Sequence, residues 1–165
     1  SSFLNAPATL SNILAMWSFK DEKELPINMQ LFHRDAEDYK FIKFFIFLSD
    51  VRKNDGEQVY LRGTNSDKNL PLELYKIQRY SDELVSKYIS PENQKEILGK
   101  AGSSWAIDPY GIHRGTVPKF NHRLLLQLQF SYNPVPIFNY KPYRYSKWNQ
   151  MSDLAKYSTR LYLRK

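Results

Sequence analysis

Two of the chain's three histidines stand in a pattern that predicts a metal centre. His33 and Asp35 are separated by one residue, so in an extended strand their side chains point to the same side and can bind one ion. His113 follows far downstream and supplies a second imidazole. Two imidazoles and one carboxylate on one face of an octahedral ion are typical of non-haem Fe(II) oxygenases, because three positions stay open for a cosubstrate and dioxygen.

Arg123 lies ten residues after His113 and begins an apolar segment. A buried guanidinium is costly unless it meets an anion, and its planar fork matches a carboxylate. A dicarboxylic 2-oxoacid would bind iron with one end and Arg123 with the other. The alternative is an internal salt bridge to one of the 17 acidic residues. We expect His122 to face away from Arg123 and to be structural, although it is the only substitute for His113.

Composition restricts the class of protein. With 165 residues, 42% of them hydrophobic and 15% aromatic, the chain fits one domain with a sizeable core. It has no apolar run of 18 residues and no signal-peptide pattern at its start, so we expect a cytoplasmic protein without a membrane span. The absence of cysteine excludes disulfides and thiolate ligands, so a transition metal must bind through histidine and carboxylate.

The net charge of +7 is concentrated near the C-terminus. Residues 139–165 carry seven basic side chains against one acid, interleaved with tyrosine and tryptophan. Grooves that bind single-stranded nucleic acid use this combination. The favoured interpretation is an extension, residues 133–165, that packs its aromatic side chains on the rest of the protein and leaves its charges in solvent. The surplus is also compatible with an anionic small-molecule substrate.

The pattern of apolar residues predicts strands, then a helical insert, then strands again. The strand candidates are residues 27–33, 40–51, 57–61, 103–108 and 123–132. Asn, Asp and Gly in residues 52–56 predict a tight turn that joins the second and third candidates as a hairpin. Residues 70–100 are helix-like, with Ser81 as an N-cap and a second helical turn from Ser90 to a stop at Gly99. This order predicts a β-barrel or sandwich with an inserted lid.

Four stretches resemble the phytanoyl-CoA dioxygenase family of Fe(II)/2-oxoglutarate-dependent oxygenases. They are QLFHRD, KFIKFFIFLSDV, NDGEQVYLRGTN and WAIDPYGIHRGTVPKFNHRLLLQLQFS. The resemblance runs from about Gln30 to Ser131 and implies a mainly β fold, a double-stranded β-helix (jelly roll, cupin-like) with a helical insert. It places a catalytic core at about residues 27–132 of a single domain, residues 1–165.

The resemblance also assigns roles to residues. His33, Asp35 and His113 become the catalytic iron ligands, Arg123 holds the far carboxylate of 2-oxoglutarate, and Phe45 lies beside this cosubstrate. Dioxygen is the other cosubstrate. An intact Asp35 favours hydroxylation or a related desaturation over halogenation, because related halogenases carry a small residue at this position.

Substrate contacts are harder to predict. The candidates flank the ligands or lie on adjoining strands: Phe32, Arg34, Lys43, Trp105 and Tyr110. The family's Pro-Gly-Ser/Thr-His loop appears here as Arg62-Gly63-Thr64-Asn65, without the proline and the histidine. Two alternatives to an enzyme stay open: a non-catalytic jelly-roll binding module, and a nucleic-acid-directed protein that uses residues 139–165.

Overall fold

Antiparallel pairing organises the strands in this computed structural model, which describes residues 3–21, 25–66, 68 and 70–165. The strands are β1 (Thr9–Ser18), β2 (Phe32–His33), β3 (Phe41–Phe47), β4 (Gln58–Leu61), β5 (Arg79–Tyr80), β6 (Gln94–Ile97), β7 (Ser104–Ile107), β8 (His113–Gly115), β9 (Arg123–Ser131), β10 (Tyr143–Arg144) and β11 (Leu163–Arg164). The helices are α1 (Leu72–Tyr75), α2 (Asp82–Tyr88) and α3 (Asp153–Thr159), with single 3-10 turns at Asn28–Gln30, Pro91–Asn93 and Trp148–Gln150.

Two facing sheets enclose the core. Within the described residues, sheet A has the strand order β1-β9-β3-β7 and sheet B the order β5-β2-β8-β4-β6. Phe45, Phe47 and Leu125 of sheet A form a buried cluster, against which Tyr60 and Ile97 of sheet B pack. We call the space between the two sheets the barrel interior. This mainly β architecture confirms the predicted jelly roll.

Polar residues occupy the inner face of β9, the central strand of the predicted site. The five buried residues of this strand alternate with half-buried ones and are Arg123, Leu125, Gln127, Gln129 and Ser131. Leu125 belongs to the cluster between the sheets, so the residues of the same parity face the barrel interior. The intervening leucines face the opposite side of sheet A.

The predicted hairpin between β3 and β4 is wrong. β3 pairs with β7 and β9 in sheet A, whereas β4 pairs with β6 and β8 in sheet B. The turn residues were recognised correctly, and Asn54 (φ 68°) and Gly56 (φ 82°) adopt the left-handed conformation. They carry the chain from one sheet to the other, because each strand has an apolar inner face that the opposite sheet must cover.

β1 was not among the strand candidates. It pairs with β9 along its whole length, from Thr9 opposite Ser131 to Ser18 opposite Arg123. The C-terminal extension covers the start of this strand. The Tyr140 and Tyr162 hydroxyls donate to the Ser11 carbonyl oxygen at 2.9 and 3.3 Å. Residues outside the predicted core therefore complete sheet A.

The helical insert covers the outer face of sheet B. The Ser81 hydroxyl oxygen accepts from the Leu84 backbone N–H at 3.2 Å, so the predicted N-cap of α2 is confirmed. A cluster beneath the insert contains Phe32, Val59, Leu61, Leu74, Tyr80, Val85 and Ile112. The predicted helical turn after Ser90 is present as a single 3-10 turn, Pro91–Asn93, but its predicted extension to Gly99 is wrong. Residues Gln94–Ile97 form β6 instead, which pairs along the edge of β4.

The strand predicted at residues 27–33 is shorter than expected. Residues Asn28–Gln30 form a 3-10 turn that begins with Asn28 in the left-handed region (φ 48°), and only Phe32–His33 pairs as a strand. No helix among the described residues combines the length and the apolar character that a membrane crossing requires.

Candidate metal centre

His33, Asp35 and His113 converge in the barrel interior. His33 ends β2 and His113 begins β8, and the two residues face each other in the antiparallel register. One ligand atom from each of the three residues lies within 4.8 Å of the others, and no other such group of histidine and carboxylate side chains occurs among the described residues. The Asp35 oxygens lie 3.6 Å from His33 Nε2 and 3.3 Å from His113 Nε2.

Backbone carbonyls fix the orientation of both imidazole rings. His33 Nδ1 lies 2.8 Å from the Leu31 carbonyl oxygen, and His113 Nδ1 lies 2.8 Å from that of Gly111. A carbonyl oxygen only accepts, so each Nδ1 carries the proton and donates it. Both Nε2 atoms therefore present their lone pairs toward Asp35, as is usual for histidines that bind a metal.

The protonation of the group suits a divalent cation. Burial and the neighbouring His113 lower the pKa of His33 to about 4, against the opposing effect of Asp35. Burial by itself would raise the pKa of Asp35, but the contact with the His113 imidazole and the charge of Lys43 outweigh it and hold this pKa well below the usual range. At neutral pH His33 is a neutral imidazole and Asp35 a carboxylate, the forms in which these side chains bind metals.

The loop and strand beside His113 hold this ligand in place. The Thr64 hydroxyl oxygen accepts from the Ile112 backbone N–H at 2.7 Å. The Tyr60 ring stacks on His113, and its hydroxyl donates to the Asp108 carbonyl oxygen at 3.0 Å. A β-carbon on Gly111 would lie only 2.0 Å from the Tyr60 hydroxyl oxygen, so this close approach requires glycine.

Arg123 is buried at one end of the barrel interior and points across to β8. Its Nη1 donates to the Gly56 carbonyl oxygen and its Nη2 to the Ser18 hydroxyl at 2.8 Å. Burial lowers the pKa of Arg123 to about 10 while nearby Glu57 raises it, so the group stays cationic at neutral pH. Among the described residues no carboxylate forms a salt bridge with it, and its buried Nε has no partner. Arg123 therefore keeps donor capacity for an incoming anion.

Phe45 and Trp105 form the aromatic wall of the barrel interior. Their rings stack with centroids 5.4 Å apart and planes 17° from parallel. Phe45 is fully buried next to Gln127 on the adjacent strand. Trp105 Nε1 donates to the Gln58 side-chain oxygen across the interior at 3.1 Å. The predicted contacts of Phe45 with the cosubstrate and of Trp105 with the substrate stay predictions.

Arg34 and Tyr110 lie together behind the metal ligands. The Arg34 guanidinium is buried, donates to the carbonyl oxygens of Tyr110 at 2.6 Å and Tyr75 at 3.3 Å, and stacks on the Tyr110 ring at 4.1 Å. Phe32 belongs to the cluster under the helical insert. These contacts attach the insert to the segments that carry His33 and His113, and the predicted substrate contacts of these residues stay predictions.

Lys43 reaches the triad directly. This buried side chain places its Nζ 2.6 Å from Asp35 Oδ2 and 3.4 Å from Glu37 Oε1. Its neighbour on β9 is Gln129. Glu37 and Gln129 were not among the candidates, although Gln129 has the same parity as Arg123 and so was bound to share its face.

A cavity of about 600 Å³ opens next to Ala36, the residue that follows Asp35. Its walls come largely from the segments that follow Asp35 and precede His113, and include Ala36, Asp38, Tyr39, Phe41, Asp108 and Tyr110. A cavity of about 620 Å³ lies against the other side of sheet A, where its walls are almost entirely apolar and contain no metal ligand. Neither cavity is lined by His33, Asp35 or His113. Only the first includes a residue next to one of them in the sequence, Ala36, so we call it the entrance cavity.

The fold is shared with solved structures of iron enzymes, while no family model and no curated protein matches the sequence. HygX from Streptomyces hygroscopicus, solved with iron bound, has a TM-score of 0.56 and 16% identity over 86% of this chain and 64% of its own. SnoK, a non-haem α-ketoglutarate-dependent carbocyclase from nogalamycin biosynthesis, has a TM-score of 0.58 and 14% identity, over 77% of this chain and 52% of its own. The epimerase SnoN, in complex with Fe3+, α-ketoglutarate and nogalamycin RO, has a TM-score of 0.51 and 15% identity, over 78% of this chain and 51% of its own.

The chain thus spans about two thirds or less of the length of these neighbours. At such low identity the likeness establishes the fold, which is the cupin-like jelly roll of non-haem iron and 2-oxoglutarate-dependent enzymes.

Proposed function

We propose that this chain is an Fe(II)- and 2-oxoglutarate-dependent dioxygenase that oxidises a small-molecule substrate. The convergence of His33, Asp35 and His113 within 4.8 Å carries the proposal, together with the backbone anchoring of both imidazoles. HygX has been solved with nickel and 2-oxoglutarate bound, which supports the same cosubstrate on this fold.

The residues of the candidate site fit both Fe(II) and 2-oxoglutarate. Two neutral imidazole nitrogens and one carboxylate are the facial set of Fe(II) oxygenases. The unpartnered Nε of Arg123 suits the far carboxylate of 2-oxoglutarate, and Ser18 holds the guanidinium toward it. Iron bound there supplies oxidising chemistry in which dioxygen and 2-oxoglutarate are consumed and succinate and carbon dioxide are released.

The protein's own contribution is to orient these groups and to exclude water. Phe45, Trp105 and Leu125 enclose the interior between the triad and Arg123, so polar contacts there are strong. We assign hydroxylation as the outcome because Asp35 keeps its carboxylate. SnoK and SnoN are a carbocyclase and an epimerase, so this fold also supports other outcomes.

We also assign the chain to the phytanoyl-CoA dioxygenase family on the motifs around the triad. In this proposal the whole chain forms one catalytic domain, in which residues 133–165 are a structural extension. The contacts of Tyr140 and Tyr162 with β1 support that role for the extension.

The first test is anaerobic addition of Fe(II) and 2-oxoglutarate to metal-free protein. We expect a visible charge-transfer band that is absent from Asp35→Ala and strongly weakened in Arg123→Met. With dioxygen, succinate release then provides a screen for substrates. A folded protein that shows no band in the wild-type form would instead be the non-catalytic binding module.

A further inference from the structure

Two buried polar side chains near Lys43, those of Gln129 and Glu37, have hydrogen-bonding capacity that the described protein does not use. Gln129 is completely buried, and neither its side-chain nitrogen nor its oxygen has a partner among the described residues. Glu37 Oε2 is likewise buried and unpartnered. Lys43 Nζ contacts Glu37 at 3.4 Å and Asp35 at 2.6 Å. Buried polar atoms in native proteins normally have hydrogen-bond partners, so these unpartnered atoms indicate a ligand site.

The strand register brings these side chains to one place. Lys43 on β3 lies directly opposite Gln129 on β9, and both face the barrel interior. Side chains paired in this way start from β-carbons about 5 Å apart. Gln129 follows Arg123 by six residues on the same strand, a distance of roughly 20 Å at the usual rise. The group therefore lies well away from Arg123, at the end of the barrel interior where Lys43 contacts Asp35.

Neutralisation of Asp35 alone does not explain the group. A lysine that served only as a counter-ion would need neither the unpartnered amide of Gln129 nor a second carboxylate from Glu37. A divalent cation on Asp35 would moreover repel the Lys43 ammonium and weaken its hold on that carboxylate. Lys43 is then available to a ligand that enters beside the metal.

The charges near the entrance indicate the ligand class. Lys43 and the Gln129 amide N–H groups donate to a carboxylate, while Glu37 accepts from an amine. Asp38 and Asp108 in the wall of the entrance cavity add negative charge that favours the same cation. The positive surplus of the chain lies mainly in residues 139–165.

We propose that Lys43, Gln129 and Glu37 form the substrate subsite and that it takes a carboxylic acid bearing an amino group, such as a free amino acid. This assignment rests on the proposed function. In it Lys43 and Gln129 hold the carboxylate, Glu37 holds the ammonium, and the side chain of the substrate extends along the aromatic wall formed by Phe45 and Trp105.

The test compares three probes of one carbon skeleton. L-leucine carries both charged groups, 4-methylpentanoate lacks the amine, and 3-methylbutylamine lacks the carboxylate. Their dissociation constants are measured by ligand-observed NMR on protein loaded with Zn(II) and 2-oxoglutarate, which prevents turnover. We expect leucine to bind most tightly, by more than about tenfold over either relative.

Variants assign each half of the subsite. Lys43→Met should weaken leucine and 4-methylpentanoate by about tenfold or more and leave 3-methylbutylamine unchanged. Glu37→Gln should weaken leucine and 3-methylbutylamine and leave 4-methylpentanoate unchanged. Because this substitution keeps the size of the side chain, it remains informative if Lys43→Met fails to fold. Gln129→Leu should weaken both carboxylates. The control is Lys53→Met, which removes an exposed lysine paired with Glu96.

The same samples separate this proposal from the proposed function. Equal binding of the three probes, or equal effects of Lys43→Met and Lys53→Met, would overturn the subsite while Zn(II) and 2-oxoglutarate still bind. If Lys43→Met lost 2-oxoglutarate binding while the three probes bound as before, Lys43 would belong to the cosubstrate site. This result would also overturn the substrate subsite. Wild-type protein that binds neither Zn(II) nor 2-oxoglutarate would overturn both proposals.

Discussion

The two ends of the barrel interior hold a buried cation in different ways. At one end Arg123 donates only to neutral groups, the Gly56 carbonyl oxygen and the Ser18 hydroxyl. Glu57 lies near enough to raise its pKa, but no described carboxylate forms a salt bridge with it. At the other end two carboxylates surround Lys43, from Asp35 and Glu37.

This difference determines what each end can bind. A buried guanidinium without a counter-ion is costly, and an incoming carboxylate removes that cost. A lysine with a carboxylate beside it has little net charge to offer, so a free anion gains less there than a ligand that carries both signs. The Arg123 end therefore suits a dianion such as 2-oxoglutarate, and the Lys43 end suits a polar ligand without large net charge.

The largest expected effect comes from the candidate metal ligands. His113→Ala removes one of three ligand atoms and should reduce Zn(II) or Fe(II) binding below detection, because loss even of a group that only orients a ligand costs about 10–100-fold in affinity. Titration against a chromogenic chelator measures it. Without bound metal, this variant should show no visible charge-transfer band in the anaerobic Fe(II)/2-oxoglutarate assay.

His122→Ala is the matched control for this variant. His122 is exposed and its Nδ1 accepts from the Lys20 backbone N–H at 2.8 Å, outside the barrel interior. This variant should bind metal like the wild type. Metal binding that survived His113→Ala and failed in His122→Ala would exchange the two histidines in the ligand set.

The contrast between the ends predicts a selective effect of Arg123→Met. Truncating a desolvated charged partner should weaken 2-oxoglutarate binding by about 2–5 kcal/mol while Zn(II) affinity stays unchanged. Calorimetric titration of 2-oxoglutarate into Zn(II)-loaded protein measures both quantities. Arg52→Met, at an exposed arginine, is the control. If Lys43→Met weakened 2-oxoglutarate as strongly, the distinction between the two ends would be lost.

The sequence was sufficient to predict that His33, Asp35 and His113 converge. One intervening residue places His33 and Asp35 on one side of an extended segment, and the parity of β9 places Arg123 and Gln129 on one face. These are local relations, which a period of two determines. The turn at residues 52–56 and the N-cap at Ser81 were predictable for the same reason.

The relations that the sequence did not reveal are long-range. Nothing local distinguishes a turn that joins neighbours in one sheet from one that crosses to the other sheet, so β3 and β4 were paired wrongly. β1 combines a polar start with an exposed edge and was missed, although it supplies Ser18 to Arg123. The contact of Lys43 with Asp35 joins residues only eight positions apart, but it depends on the path of the loop between β2 and β3, which a period of two does not determine.

Gly111→Ala tests whether metal binding depends on the close packing behind His113. The added β-carbon would meet the Tyr60 hydroxyl oxygen at 2.0 Å and its Cζ at 2.5 Å, so one of the two segments must shift. We expect a loss of about 1–3 kcal/mol in unfolding free energy, as for other overpacked sites, together with weaker metal binding. Chemical denaturation of the metal-free protein measures the first effect.

A second substitution identifies the cause. Tyr60→Leu in the Gly111→Ala background removes the clashing ring and should restore part of the lost stability. Equal instability of the double variant would show that the glycine is needed for another reason than this contact.

The smallest expected effect is that of Ser18→Ala, which separates orientation of Arg123 from its charge. The Ser18 hydroxyl accepts from Arg123 Nη2 at 2.8 Å, so its loss leaves the cation in place but less firmly held. One such hydrogen bond contributes about 0.5–1.5 kcal/mol, which corresponds to a decrease in 2-oxoglutarate affinity of roughly two- to tenfold. Zn(II) and leucine should bind as before, since neither contacts this end, and Ser146→Ala at an exposed position should change nothing. An effect as large as that of Arg123→Met would mean that β1 forms the cosubstrate site directly, whereas no effect would leave the Gly56 carbonyl oxygen as sufficient support for the guanidinium.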